Sequence, residues 1–463
     1  MKIHRLLIAN RGEIALRIIR TCRKLGIEAV LAASDADLKS VPAKLANQTA
    51  RLGGSAPAQS YLNVERVVAA AREANVQAIH PGYGFLSENV RLARACAAAN
   101  IAFIGPDEPA LEGVGDKLRA REHAIAAGLP VVPGGPVTNA DEAVALAKTL
   151  GFPVLIKAVG GGGGRGMKRV HAPGEMKHQA EMASAEAEAA FGDSRIYVER
   201  YVERGRHIEV QLLGDGRREV IHLGTRDCSV QRRYQKLVEE APAPALAGNL
   251  RDAIHEAAVR FGVRLKYRGA GTVEFLVDDD RGEFYFLEMN ARIQVEHPVT
   301  EAITGLDLIA EQIAIAEGEG LRSSQRDIRF SGHAIECRIN AENPLHDFRP
   351  SPGTVTRALF PAGEGVRVDT HIEGGANVPP FYDSLLAKVI ATGASRNDAL
   401  HRMKRALAST KIEGIETNIA LQSALMSDEA FAKGGVHTSF FPGFLETYLK
   451  ASAKDRVAAG VAS

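Results

Sequence analysis

An apolar strand, a tight turn and an amphipathic helix succeed one another within the first 26 residues, and that alternation restricts the fold more than any other feature. Leu6 to Ala9 is apolar, Asn10-Arg11-Gly12 turns, and Ile14, Ile18, Ile19, Cys22 and Leu25 recur at helical spacing before Gly26. A second strand, Glu28 to Ala33, follows at once, and further strands read at Ala78-Ile79-His80 and Ile101 to Ile104. Strands joined through helices lie side by side in one direction, so the pattern predicts a parallel sheet covered by helices up to about residue 115.

The chain has 463 residues, more than one core usually supports, and its texture changes twice beyond that sheet. A small α+β unit is expected over 130–203, opening on Pro133-Gly134-Gly135-Pro136 with a helix near Ala140 to Leu150. A larger strand-rich unit follows over 204–448, with strands at His207 to Leu213, Thr272 to Val277 and Phe284 to Met289. The alanine-rich stretch 449–463 lacks capping signals and reads as a flexible tail. The fold class is thus α/β and α+β multidomain.

A net charge of +1, from 57 basic and 56 acidic residues, gives no global field to recruit nucleic acid or an anionic membrane. Anionic ligands must be held by local clusters. The start has too short an apolar run for a signal peptide, and no window approaches a membrane span of about 18 residues. Cys22, Cys96, Cys228 and Cys337 form no CxxC pair, which argues against a disulfide framework and against zinc, and predicts reduced cytoplasmic thiols.

Three segments carry chemistry. In Gly160 to Gly164, Arg165 and Gly166, backbone N–H groups can approach an anion with no Cβ in the way. Val154 to Ala158 and Met167 to Val170 read as strands on either side, so the run is expected at a hairpin tip, as a mobile lid over phosphates and not as a dinucleotide loop. A flexible linker is the competing reading. It does not account for strand residues with Lys157 on one side and Lys168 on the other.

The second segment is a hairpin around Asp278 to Gly282. With Val277 opposite Glu283, Glu274 and Glu288 become diagonal neighbours on one face, within about 8 Å. Two such acids, with Asn290 close by, suit Mg²⁺ bridging to phosphates. In the third, Arg292, Gln294 and Glu296 alternate, so an extended backbone projects them to one side as a pocket for a small planar oxyanion, with Glu296 as a base. A surface ion pair between Arg292 and Glu296 competes with that reading. Arg226 to Lys236 is locally basic and suits phosphate or bicarbonate, a solvated helix face being its competitor.

Together with His80 to Asn89 and Gly332 to Glu342, these segments resemble the biotin carboxylase family from about residue 3 to residue 445. The resemblance implies an ATP-grasp fold with a Rossmann-like N-terminal domain, a closing lid domain and a larger C-terminal domain. It implies that Lys117 and Lys157 contact phosphates, with Gly163 and Gly164 in the lid. Glu199, Arg200, Tyr201 and Val202 would read adenine, with His207, Gln231 and Tyr234 as further nucleotide contacts. Glu274, Glu288 and Asn290 would hold Mg²⁺ or Mn²⁺, two ions in all, and the two acids would also border ATP. Lys236, Arg292, Gln294 and the backbone of Val295 would bind bicarbonate, Glu296 would deprotonate it, and Arg338 and Tyr83 would meet biotin.

The implied activity is ATP-dependent carboxylation of biotin through carboxyphosphate. The Met-Lys pairs at 167, 176 and 403 lack the Ala-Met-Lys-Met context of biotin attachment, so the biotin is expected on a separate carrier protein. A homodimer and carboxyltransferase subunits are further implied, with acetyl-CoA carboxylase as the parent enzyme and other acyl-CoA carboxylases or pyruvate carboxylase as alternatives. Two positions depart from the family: Tyr234 stands where histidine is common, and Thr225 where an acid is common. A carbamoyl phosphate synthetase has no need of the Arg338 segment, and a silent MgATP-binding module would have lost Glu296, Arg292 or the paired acids.

Overall fold

The computed structural model describes residues 1–159 and 167–458. Strands β1 (Arg5–Ile8), β2 (Glu28–Ser34), β3 (Gln48–Gly53), β4 (Ala78–His80) and β5 (Ala102–Phe103) form an all-parallel sheet in the order β3-β2-β1-β4-β5. Helix α1 (Gly12–Leu25) packs Ile14, Ile18, Ile19 and Cys22 against it. Strand β3 was not foreseen: as an edge strand buried on one side only, Gln-Thr-Ala-Arg-Leu-Gly carries no continuous apolar run.

A four-stranded antiparallel sheet comes next: β6 (Gly134–Val137), β7 (Val154–Ala158), β8 (Lys168–Val170) and β9 (Ile196–Arg200), in the order β6-β9-β7-β8. Helices Ala140–Leu150 and Pro173–Phe191 close a small separate core over it. The strands flanking the glycine run pair antiparallel as expected, while Gly163 and Gly164 lie outside the described residues.

The largest element is an eight-stranded sheet of β10 (Gly205–Asp215), β11 (Val220–Arg232), β12 (Gln235–Ala241), β13 (Arg268–Asp278), β14 (Glu283–Asn290), β15 (His333–Asn340), β16 (Val366–Thr370) and β17 (Leu385–Gly393), ordered β14-β13-β10-β11-β12-β15-β17-β16. One of its faces packs helix Gly248–Arg264.

Three expectations need correction. Val277 pairs with Phe284 and not with Glu283; carried on unbroken, that register would set Glu274 against Leu287. A β-bulge adds one residue there, so Glu274 sits directly opposite Glu288 on the same face. The competing reading of Arg226 to Lys236 as a solvated helix face fails: the stretch is the β11–β12 hairpin, in which Arg226 is paired with the buried Glu209, while Arg232 and the exposed Arg233 pair with Asp347 at the surface. The stretch expected to be a tail is helical as far as Ala458, continuing a helix that begins at Phe440; alanine and lysine extend an existing helix without the cost of a new nucleus. Residues 459–463 lie outside the described part. Among the described residues, no helix is long and apolar enough to cross a membrane.

Candidate active site

A cleft of about 1140 Å³ opens between the four-stranded sheet and the eight-stranded one. The small sheet contributes Lys157 and Glu199 to Val202, and Lys117 enters beside them. His207, Gln231, Lys236, Glu274, Glu288 and Asn290 come from the large sheet. The loop after β14 supplies Arg292, Gln294 and Val295, while Arg338, Tyr83 and Tyr234 complete the wall. Glu296 lies just beneath the surface at 1% side-chain exposure, reached through Lys236 and Arg338.

Lys236 is the junction of the site. Its Nζ lies 2.6 Å from Glu209, 2.9 Å from Glu274 and 2.7 Å from Glu296. Burial disfavours the charged amine, yet the acids, Glu209 foremost, hold its pKa well above the ordinary lysine value. Burial likewise opposes ionisation of Glu296, but Lys236 and then Arg338 bring its carboxyl well below the usual range. Glu274 is lowered in the same way, by Lys236 and then His207. Both acids are therefore ionised at neutral pH.

His207 accepts from Gln231 at Nδ1, 2.8 Å away, and presents Nε2 to Glu274 at 2.9 Å. Asn290 Nδ2 donates to Glu274 at 2.9 Å, and Arg292 donates to Asn290 Oδ1 at 2.7 Å and to Gln294 Oε1 at 2.8 Å. The extended backbone expected for Arg292 to Glu296 is instead an irregular loop that turns at Val295 and Glu296, where the chain enters the helix His297–Thr304. Glu296 still faces the pocket, aimed by the Lys236 and Arg338 contacts and not by strand alternation.

The acids fit a hard divalent cation. Glu288 stands open to the cleft opposite Glu274; loss of solvent, and then the Glu274 charge, raise its carboxyl, so a divalent cation placed between the two acids would relieve their repulsion.

Several participants were missed from sequence. Glu209 lies between Arg226 and Glu274 in register and anchors Lys236; the alternation His207, Glu209, Gln211 in an otherwise apolar strand is the signal that could have found it. Glu239 accepts from Arg338 Nε at 2.6 Å, and Glu88 holds Arg292 at 2.9 Å. Tyr234 sits at the β11–β12 turn, over half exposed, and Thr225 is buried with its hydroxyl accepting from the Ala243 N–H.

A small four-stranded sheet facing a large antiparallel sheet across paired acids and lysines defines an ATP-grasp enzyme of the ligase class. Family models match in succession: biotin carboxylase N-terminal domain at residues 2–111, the carbamoyl-phosphate synthase L chain ATP-binding domain at 116–324, and biotin carboxylase C-terminal domain at 336–442. The Nostoc biotin carboxylase is 52% identical over 95% of this chain and 99% of its own length. A pyruvate carboxylase subunit of Methanothermobacter thermautotrophicus is 49% identical over 94% of this chain and 89% of its own. Among solved structures, the Campylobacter jejuni biotin carboxylase in complex with β-γ-ATP aligns with TM-score 0.91 at 44% identity, over 95% of this chain and 99% of that one. The Hydrogenobacter thermophilus 2-oxoglutarate carboxylase biotin carboxylase domain dimer, bound to MgADP, ADP and bicarbonate, aligns with TM-score 0.90 at 45% identity, over 96% and 99%. The chain belongs to the biotin carboxylase family.

Proposed function

We propose that this chain carboxylates biotin on a separate carrier protein, using ATP and bicarbonate through carboxyphosphate. The observation that carries the reading is the convergence of Glu274, Glu209 and Glu296 on Lys236, which sets a base and a cation-ready acid within one side chain of each other. Lys117 and Lys157 take the phosphates, Glu199 to Val202 the adenine, and His207, Gln231 and Tyr234 further parts of the nucleotide. Mg²⁺ held by Glu274, Glu288 and Asn290 would neutralise charge between the phosphate oxygens.

Bicarbonate sits on Lys236, Arg292, Gln294 and the backbone of Val295. Its negative charge draws Lys236 away from Glu296, whose proton affinity rises, and Glu296 removes the bicarbonate proton. The resulting oxyanion attacks the γ-phosphate, and carboxyphosphate then releases CO₂ beside biotin, which Arg338 and Tyr83 hold. Carboxyphosphate leaves phosphate behind as it gives CO₂, that phosphate takes the ring-nitrogen proton, and Arg338 stabilises the charge on the ureido oxygen while the nitrogen attacks CO₂.

The partners in this reading are a biotin carrier and carboxyltransferase subunits, in a cytoplasmic assembly built on a homodimer, with acetyl-CoA as the final acceptor. The similarity to a pyruvate carboxylase subunit favours pyruvate as the second choice. Whichever carrier polypeptide co-purifies with the chain decides between them.

The test is ADP release with MgATP and bicarbonate, with and without free biotin or biotinylated carrier. Stimulation by biotin is expected. Glu296→Gln is expected to lower that rate by about 10²–10⁴-fold while MgATP binding stays within a few-fold. Hydrolysis indifferent to both biotin forms sinks the proposal.

A further inference from the structure

The strand β17 reads Leu-Leu-Ala-Lys-Val-Ile-Ala-Thr-Gly, and its one charged residue, Lys388, is completely buried. Lys388 lies in register beside Arg338 on one side and Asp369 on the other. Its Nζ reaches out of the sheet to two places. It is 3.0 Å from Glu13 Oε1, on the first turn of α1, and it donates to the carbonyl of Val295 at 2.8 Å. Glu13 in turn accepts from the Tyr83 hydroxyl.

Three segments far apart in sequence therefore meet on one ammonium group: the start of α1, the loop carrying Arg292 to Glu296, and β17. Burying this ion pair is costly, and placing Lys388 next to Arg338 adds like-charge repulsion, so apolar residues would stabilise the fold at least as well. What apolar residues lack is direction. An ammonium has three donors, and here two of them fix the spacing between a backbone carbonyl and a carboxylate that orients a phenol.

From this geometry we infer that Lys388 and Glu13 are positioning residues for biotin carboxylation. They hold Tyr83, on the biotin side, at a set distance from Val295, on the bicarbonate side, so that carbon dioxide released at one meets the ring nitrogen at the other. This rests on the roles proposed above for Tyr83 and Val295. Holding two reactants in register is where orientation contributes most to rate, and a shift of about 1 Å can cost about 10²-fold.

The test compares wild type with Lys388→Met, Glu13→Gln, the double variant and Tyr83→Phe in the full chain. Biotin-independent ATP hydrolysis is measured separately from biotin-stimulated hydrolysis, and KM is measured for ATP and for biotin. Lys388→Met and Glu13→Gln are each expected to lower biotin-stimulated kcat/KM by tenfold or more, with KM for ATP within twofold of wild type. The double variant is expected to be no worse than the poorer single one, because both break the same link. Tyr83→Phe removes only the hydroxyl that Glu13 holds, and should raise KM for biotin several-fold; it carries the test if Lys388→Met fails to fold.

If KM for ATP and the thermal midpoint worsen in step with biotin turnover, or if the two single losses multiply, the pair is structural and the assignment is overturned. A wild type that shows no biotin stimulation fails the functional reading itself, a result recognisable before any variant is made.

Discussion

Lys236 shows how a single buried side chain organises a site. Its three carboxylate contacts explain why Glu296 and Glu274 stay ionised although buried, and why a small anion entering the pocket would change their basicity. The opposite case begins on the same strand. Glu239 and Glu336 face each other across β12 and β15, and neither oxygen of Glu336 has a hydrogen-bond partner. Burial pushes the Glu239 carboxyl up to about 7 against the pull of Arg338, and raises Glu336 well above the ordinary value. This pair holds protons that the unfolded chain gives up above about pH 4.3, so it subtracts stability as pH rises from there through about 7. The thermal midpoint should accordingly fall between about pH 5 and about pH 8, and fall less in Glu336→Gln. Calorimetry at constant ionic strength checks this, and parallel pH profiles for the two proteins would count against it.

At the scale of elements, the β11–β12 hairpin and the β14 bulge do the placing. Arg233 and Tyr234 both occupy the left-handed region, with φ of 48° and 66°, as a two-residue turn of this twist demands. Non-glycine residues there carry strain of about 1 kcal/mol each. Arg233→Asn combined with Tyr234→Gly is expected to raise the thermal midpoint by about 1 °C per kcal/mol recovered. It should also raise KM for ATP, since the phenol borders the cleft; differential scanning calorimetry and initial rates read the two effects. The β7–β8 and β13–β14 strand pairs were legible from alternating residues and turn signals, whereas the β11–β12 hairpin and the bulge were not. Nothing in Phe284 to Asn290 marks Leu287 as the extra residue, because a bulge is fixed by what the partner strand and the cleft require.

For the whole molecule, the N-terminal sheet is tied to the large sheet by a buried ionic network. Arg17 of α1 lies 2.6 Å from Glu301 and 2.7 Å from Asp307, and Arg367 of β16 reaches Glu301 at 2.7 Å. Glu301→Ala removes one of two acids from each arginine, Asp307 remaining to Arg17 and Asp369 to Arg367, a loss of about 1–3 kcal/mol. A lowered chemical-denaturation midpoint should register it, and an unchanged midpoint would show that solvent reaches the site. Sequence alone determined the parallel N-terminal sheet and the pairing of the strands that flank the glycine run, because each depends on local periodicity and turn chemistry, whereas the bulge decided that Glu274 faces Glu288. Glu209, Glu239, Glu13 and Lys388 are different: a charge within an apolar strand reads as an anomaly until its distant partner is known. Their roles come from pairing across strands and domains, where removal from water makes each buried charge answerable to a counter-charge that chain order does not reveal.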